Sequence, residues 1–145
     1  MVDILHRVGT TASTTKVFAA LTTLDGLQSW WVEKASGNAK KGGRIDFGFC
    51  VMEVVEAEPD HLVHWRCVSG PADWVGTEVT FRLRRDSETF VLFSHSGWKE
   101  PVEFMHHCST KWATFLLSLR DVVERGSGRP IPNDVKIIVA NEMSA

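Results

Sequence analysis

From Arg44 to Trp98 the apolar side chains recur at every second residue, and from Met105 to Val123 they recur at helical spacing. A period of two marks strands with one buried face. A period of 3.6 marks a helix with one buried stripe. The first pattern breaks at Pro59-Asp60, at Gly70-Pro71 and at Asp86-Ser87. "RIDFGF" sets Ile45, Phe47 and Phe49 on one face, and "HLVHWRCVSG" sets Val63, Trp65 and Cys67 opposite Leu62, His64 and Arg66. "TEVTFRLRRD" sets Val79, Phe81 and Leu83 opposite Thr80, Arg82 and Arg84, and "ETFVLFSHSG" puts Val91, Phe93 and His95 together. "VMEVVEAE" is a strand whose register its own pattern leaves open. Consecutive strands joined by short turns predict an antiparallel meander. Met105, Cys108, Trp112, Phe115, Leu116, Leu119, Val122 and Val123 then define about five helical turns, ended by Gly126. A sheet with one wet face and a long amphipathic helix bury each other, so the sheet must curl around the helix.

The segments before the meander are shorter. "DILHRVGTT" predicts a strand with Ile4, His6 and Val8 on one face. Ser13 or Thr14 caps a helix whose stripe is Val17, Phe18 and Leu21. The chain is expected to turn at Asp25-Gly26 and enter a second short helix ending at the adjacent Trp30 and Trp31. Lys34 to Gly43 reads as a loop or weak strand. After Gly126, "SGRPIPND" reads as a linker and "VKIIVA" as a candidate extra strand. The predicted class is α+β: a curved antiparallel sheet around a long C-terminal helix, with two short helices near the N-terminus. One domain over residues 1–126 and a tail over 127–145 follow. Such a layout leaves a cavity between sheet and helix unless side chains fill it.

Bulk properties narrow the function classes. A chain of 145 residues suits one domain, which at this size buries roughly 70% of its unfolded surface. The formal net charge of −2 gives no bulk attraction to nucleic acid or anionic membrane. No apolar run approaches roughly 18 residues, and "MVDILHRVGTT" has no secretory apolar core. A cytoplasmic protein without a membrane span is expected. Cys50, Cys67 and Cys108 are odd in number, far apart and without a CxxC pair. Reduced core thiols are expected rather than a disulfide framework or zinc site.

Trp30 and Trp31 raise the question of function. Successive side chains cannot point the same way in a helix or strand, so the rings are expected to diverge. Both are candidate ligand-binding residues. His95 shares the inward face with Val91 and Phe93, where a buried imidazole needs a partner. It is the candidate polar anchor for a ligand carbonyl or carboxylate. Phe47, Phe49, Trp65, Phe81, Phe93 and Trp112 complete the candidate apolar wall. His106, His107 and Cys108 stand about 100° apart on a helix and lack the i, i+4 pair of a zinc helix, so no metal site is expected. Glu53, Glu56 and Glu103 are expected to be solvated. Arg82 and Arg84 share the outer strand face. No glycine-rich phosphate loop, nucleophile elbow or Cys/His dyad is present, and no catalytic residue and no cofactor are assigned.

The stretches "TTKVFAALTTLDGLQSWW", "KKGGRIDF", "VMEVVEAEPDHLVHWRC", "GTEVTFRL", "FVLFSHSGW" and "KWATFLLSLRDVVERG" cover roughly residues 3 to 126. In order and spacing they resemble the helix-grip fold of the START and Bet v 1-like (SRPBCC) superfamily. More narrowly, they are similar to the family related to the C-terminal domain of the activator of heat shock protein 90 ATPase. The resemblance implies the helix-grip fold, and it implies that Trp30 and Trp31 stand near the cavity mouth, Trp31 sealing the core and Trp30 lining the entrance. It implies three functions of different kinds. One is a binding protein for a hydrophobic or amphipathic small molecule, held between sheet and helix. Another is a protein-interaction module with a chaperone partner and a role in stress response. The third is a cyclase- or hydrolase-like enzyme. An extra strand at "VKIIVA" that paired with another protomer would make a homodimer.

Overall fold

The structure, a computed structural model, describes residues 2–139. Its order is β1 (Ile4–Thr10), α1 (Thr14–Thr22), α2 (Leu24–Trp30), β2 (Ser36–Gly37), β3 (Arg44–Asp46), β4 (Val51–Glu58), β5 (Leu62–Ser69), β6 (Glu78–Arg85), β7 (Thr89–Ser96) and α3 (Glu103–Arg125). The seven strands form one antiparallel sheet in the order β1-β7-β6-β5-β4-β3-β2. Consecutive strands from β2 to β7 are neighbours, and β1 adds itself beside β7. The meander was legible because each strand's alternation survives in the burial: Val63, Trp65 and Cys67 on β5, Val79, Phe81 and Leu83 on β6, and Val91, Phe93 and His95 on β7 are all buried.

The structure settles the register of β4. Met52 and Val54 point inward, while Glu53 points out and pairs with Arg66. Register shifts at Val51/Met52 and at Val54/Glu56 interrupt the β4–β5 ladder. Irregularities of this kind bend a strand and increase its twist. They help this side of the sheet to curl.

Both short helices are capped by hydroxyls. Ser13 Oγ accepts from the Lys16 N–H, and Thr23 Oγ1 accepts from the Gly26 N–H. Thr23 closes α1 and opens α2. Asp25-Gly26 is therefore not a turn, contrary to expectation, but the first turn of α2. Glycine is needed there for proximity: a Cβ on Gly26 would lie 2.4 Å from the Ala20 carbonyl oxygen. The turn signature and a close helix crossing look alike in sequence.

α3 runs for 23 residues and ends at Gly126, whose φ of 89° closes it with an N–H to the Val122 carbonyl. Its buried stripe holds Met105, Cys108, Trp112, Phe115, Leu116, Leu119 and Val123, with Val122 at its margin. It also holds Lys111 and Ser118, which apolar periodicity does not single out. Both serve the tail. Ser118 Oγ donates to the Trp30 carbonyl and accepts from the Arg129 N–H. Ile131 forms a parallel bridge with Val32. The Lys111 ammonium, with no exposed surface, meets the Asp134 carboxylate and donates to the Val135 carbonyl at 2.7 Å. Residues 135–139 of "VKIIVA" form no strand, and Ala140 lies outside the described residues. The tail is held by ionic and main-chain contacts rather than by an added ladder.

Candidate functional site

The candidate wall residues do come together, in the space between the sheet and α3. Trp31 is the hub. Its ring centroid lies 4.3 Å from Phe47, 4.9 Å from Trp112, 5.9 Å from Trp65 and 5.8 Å from Phe49. Phe93 meets Trp112 at 4.6 Å, and Phe81 meets Trp65 at 5.0 Å and Phe93 at 5.3 Å. The centroid spacings and mostly tilted or edge-on geometries are those favoured by aromatic quadrupoles.

The interior is filled at this place. Trp30, Trp31, Trp65, Phe81, Trp112 and His95 are 0% exposed. A void large enough for water would leave accessible surface on the rings bordering it, so none borders these six. Between β1, β7, α1 and α3 lies a cavity of about 10 Å³, lined by Val8, Val17, Val91, Leu116, Leu119 and Val123. That is room for at most one water. Larger hollows lie on the surface, one of about 300 Å³ between α1, α2 and the end of α3.

The Trp pair departs from expectation. The rings do not diverge. They stack at 5.8 Å with 14° between their planes, and neither lines an entrance. The helix stops at Trp30, so Trp31 sits at the cap, with φ −115° and ψ −65°, and no longer obeys the 100° helical rotation. Trp30 Nε1 donates to the Ala20 carbonyl at 3.0 Å, which ties α2 to α1. Trp31 Nε1 and Trp65 Nε1 have no hydrogen-bond partner among the described residues, although both are buried.

His95 does not offer a free nitrogen. Trp112 Nε1 can only donate, and it lies 3.1 Å from His95 Nδ1. Nδ1 therefore holds the lone pair and Nε2 the proton. Nε2–H donates to Thr77 Oγ1 at 2.8 Å, and Thr77 Oγ1 donates to the Trp74 carbonyl at 2.6 Å. Burial among Trp74, Trp98 and Trp112 pushes the imidazole pKa down to about 3. A neutral imidazole with both nitrogens engaged is a poor general base at neutral pH.

Trp74 and Trp98 were missed by sequence reasoning. Both are buried. Trp74 stacks on Trp112 at 6.1 Å and donates to Cys108 Sγ at 3.4 Å, while Trp98 Nε1 donates to the His95 carbonyl. They sit in loops, where no alternation assigns a face. The available signal was the side chain itself, since tryptophans rarely stay in water.

Other candidate groups are accounted for. Glu53 pairs with Arg66, Glu56 with Lys41, and Glu103 is exposed. His106 is exposed, His107 stacks on Phe104, and Cys108 is buried, so the three point apart. Burial pushes the Cys108 thiol up to about 12 and raises Cys50 and Cys67 as well. These thiols are poor nucleophiles at neutral pH. No helix among the described residues is long and apolar enough to cross a membrane.

A curved antiparallel sheet gripping one long C-terminal helix, with two short helices after the first strand, defines the helix-grip class. The chain belongs to the family of activator of Hsp90 ATPase homolog 1-like proteins, whose model matches residues 11–124. It is similar to the Aha1 dimer from Colwellia psychrerythraea, solved in solution: 44% identity over 88% of this chain and 100% of that one, with a TM-score of 0.79. It shares its fold with CalU16 from Micromonospora echinospora, at 20% identity over 96% of this chain and 76% of that one, TM-score 0.78. It also shares it with SSP2350 from Staphylococcus saprophyticus, at 16% identity over 89% and 97%, TM-score 0.73. No curated protein matches the chain.

Proposed function

We propose that this chain is a non-catalytic protein-interaction module that works through its outer surface on an ATPase chaperone of the heat shock protein 90 type. The observation that carries this reading is the closed aromatic interior. Trp31, Trp65, Phe81 and Trp112 occupy the space where a helix-grip protein would hold a ligand, and His95 spends both nitrogens on the chain itself. With the inside filled by its own side chains, the molecule has its outer surface left for recognition. Membership of the activator family supports this partner class. A homodimer accords with the dimeric state of the Colwellia relative. A cytoplasmic location and a role in stress response fit the same reading. The test is the ATPase rate of a purified bacterial heat shock protein 90 with equimolar chain added, alongside direct binding. Stimulation with measurable binding is expected. No binding and no change in rate would refute the proposal.

One observation favours a second reading, an apolar or amphipathic small molecule held between sheet and α3. Trp31 and Trp65 are parallel to within 3° at 5.9 Å, and each carries an unpartnered indole N–H. A buried unpaired donor costs about 1–3 kcal/mol. A ligand carbonyl or carboxylate entering between the rings would satisfy both donors. Trp30, Phe47, Phe49, Phe81, Phe93 and Trp112 would then form its wall, with His95 behind them. The rings must part to admit it. Native mass spectrometry of the purified protein, and titration with a fluorescent fatty acid, test this directly. Saturable micromolar binding lost in Trp31→Phe supports it.

A further inference from the structure

The outer face of the sheet is divided. Towards its β4–β5 side, polar and charged groups alternate and pair: His64 with Glu78, Arg66 with Glu53, Lys41 with Glu56. Across β1, β7, β6 and the first residue of β5 the composition changes. Arg7, Leu92, Arg82 and Leu62 are cross-strand neighbours in one row, and Phe90 and Arg84 face each other in the next. All six stand on the solvent side, the arginines exposed and the apolar residues half-buried. Arg7 and Arg84 reach Phe90 from the strands on either side of it, each guanidinium 5.1 Å from the ring centroid. Only Arg84 has a carboxylate within ion-pair distance among the described residues, the nearby Asp86. Arg7 and Arg82 have none among the described residues.

We infer that this arginine and apolar face of β1, β7 and β6 is a docking surface for an acidic protein segment that alternates carboxylates with leucine-like side chains. The inference rests on the interaction-module reading and names the chemistry of its partner. Charge complementarity selects the carboxylates, because a guanidinium fork binds them through two parallel hydrogen bonds. The interleaved Leu62, Phe90 and Leu92 select the apolar groups. Stacking on Phe90 holds two of the arginines ready, so less side-chain freedom is lost on binding. The net charge of −2 disfavours a long polyanion such as nucleic acid, which depends on broad positive potential.

The test uses the full chain and a fluorescein-labelled peptide of alternating Glu and Leu, read by fluorescence anisotropy. A Gln/Leu peptide of equal length, a single-stranded oligonucleotide and phosphatidylserine vesicles are the comparison probes. The Glu/Leu peptide should bind best and weaken with added salt. Arg82→Glu should weaken it by about tenfold, and Arg7→Glu with Arg84→Glu at least as much, while Lys34→Glu, exposed and outside this face, changes it less than about twofold. Thermal melts confirm that each variant is folded, and Arg82 has no ion-pair partner to lose among the described residues. Equal binding of the Glu/Leu and Gln/Leu peptides, unchanged binding by Arg82→Glu, or preference for oligonucleotide or vesicle would overturn the inference. The two proposals fail separately. A chain that stimulates the chaperone equally with and without Arg82→Glu refutes this surface alone. A chain that binds the peptide but never the chaperone refutes the chaperone reading alone.

Discussion

Lowering the pH from 7.5 to 5.0 should weaken this fold through His95, by an amount that can be worked out. The native imidazole is neutral, with its pKa pushed down to about 3 by burial. In the unfolded chain the same group titrates near 6.5. A depressed native pKa means that the unfolded state takes up the proton first as pH falls. The stabilising contribution is therefore complete above about pH 6.5 and is lost progressively down to about pH 3. One proton gives about 1.36 kcal/mol per pH unit, so the loss from His95 alone reaches about 2 kcal/mol at pH 5. Geometry supports the direction independently. A proton on Nδ1 would face the Trp112 indole N–H, which can only donate. Urea melts at both pH values, on wild type and on His95→Gln, isolate the effect, because the other histidines and the carboxylates titrate alike in both. Wild type should lose about 2 kcal/mol more than the variant over this range. A difference below about 0.5 kcal/mol would refute the neutral, enclosed histidine.

Three further outcomes are expected. Leu119→Ala, at a 1% exposed position in the α3 stripe, should cost about 2–5 kcal/mol in urea melts; a loss below about 0.5 kcal/mol would mean that the sheet does not grip the helix. Asp134→Ala removes the carboxylate facing the buried Lys111 ammonium and should cost about 3–5 kcal/mol, whereas Lys111→Met combined with Asp134→Asn should recover most of it; equal loss in both variants would refute an electrostatic role. Deleting residues 129–145 should keep a cooperative transition, because the strands and α3 precede it, but lower its midpoint, because Asp134, Ile131 and the Arg129 N–H leave with the tail. An unchanged midpoint by thermal melt would show that the docked tail contributes nothing.

The faces of the strands and of α3 were legible because they follow from local backbone geometry. A β-strand sends alternate side chains to opposite sides whatever surrounds it. That is why Trp65, Phe81, Phe93 and His95 were assigned correctly to the inward face. The same reasoning failed where the backbone changes state. Trp31 leaves the helix at its cap and stacks on Trp30 instead of diverging. Gly26 signalled a turn but serves a helix crossing. Trp74 and Trp98, in loops, had no period to place them.

The sequence by itself determined the element order, the antiparallel meander, the inward face of each strand after β4 and the end of α3 at Gly126. Only the tertiary structure decided whether the interior is open or full. That depends on how far the sheet curls, on the β4–β5 irregularities and on loop residues entering from far along the chain. Periodicity states the direction of a side chain but not the volume waiting for it. The tertiary structure also decided the fate of His95, since its partners Thr77 and Trp112 lie 18 and 17 residues away. It decided that Lys111, a charge on the stripe of α3, is buried against Asp134, 23 residues further on. A buried charge is tolerated only when a distant residue brings the opposite charge, and no local pattern in the sequence records that meeting.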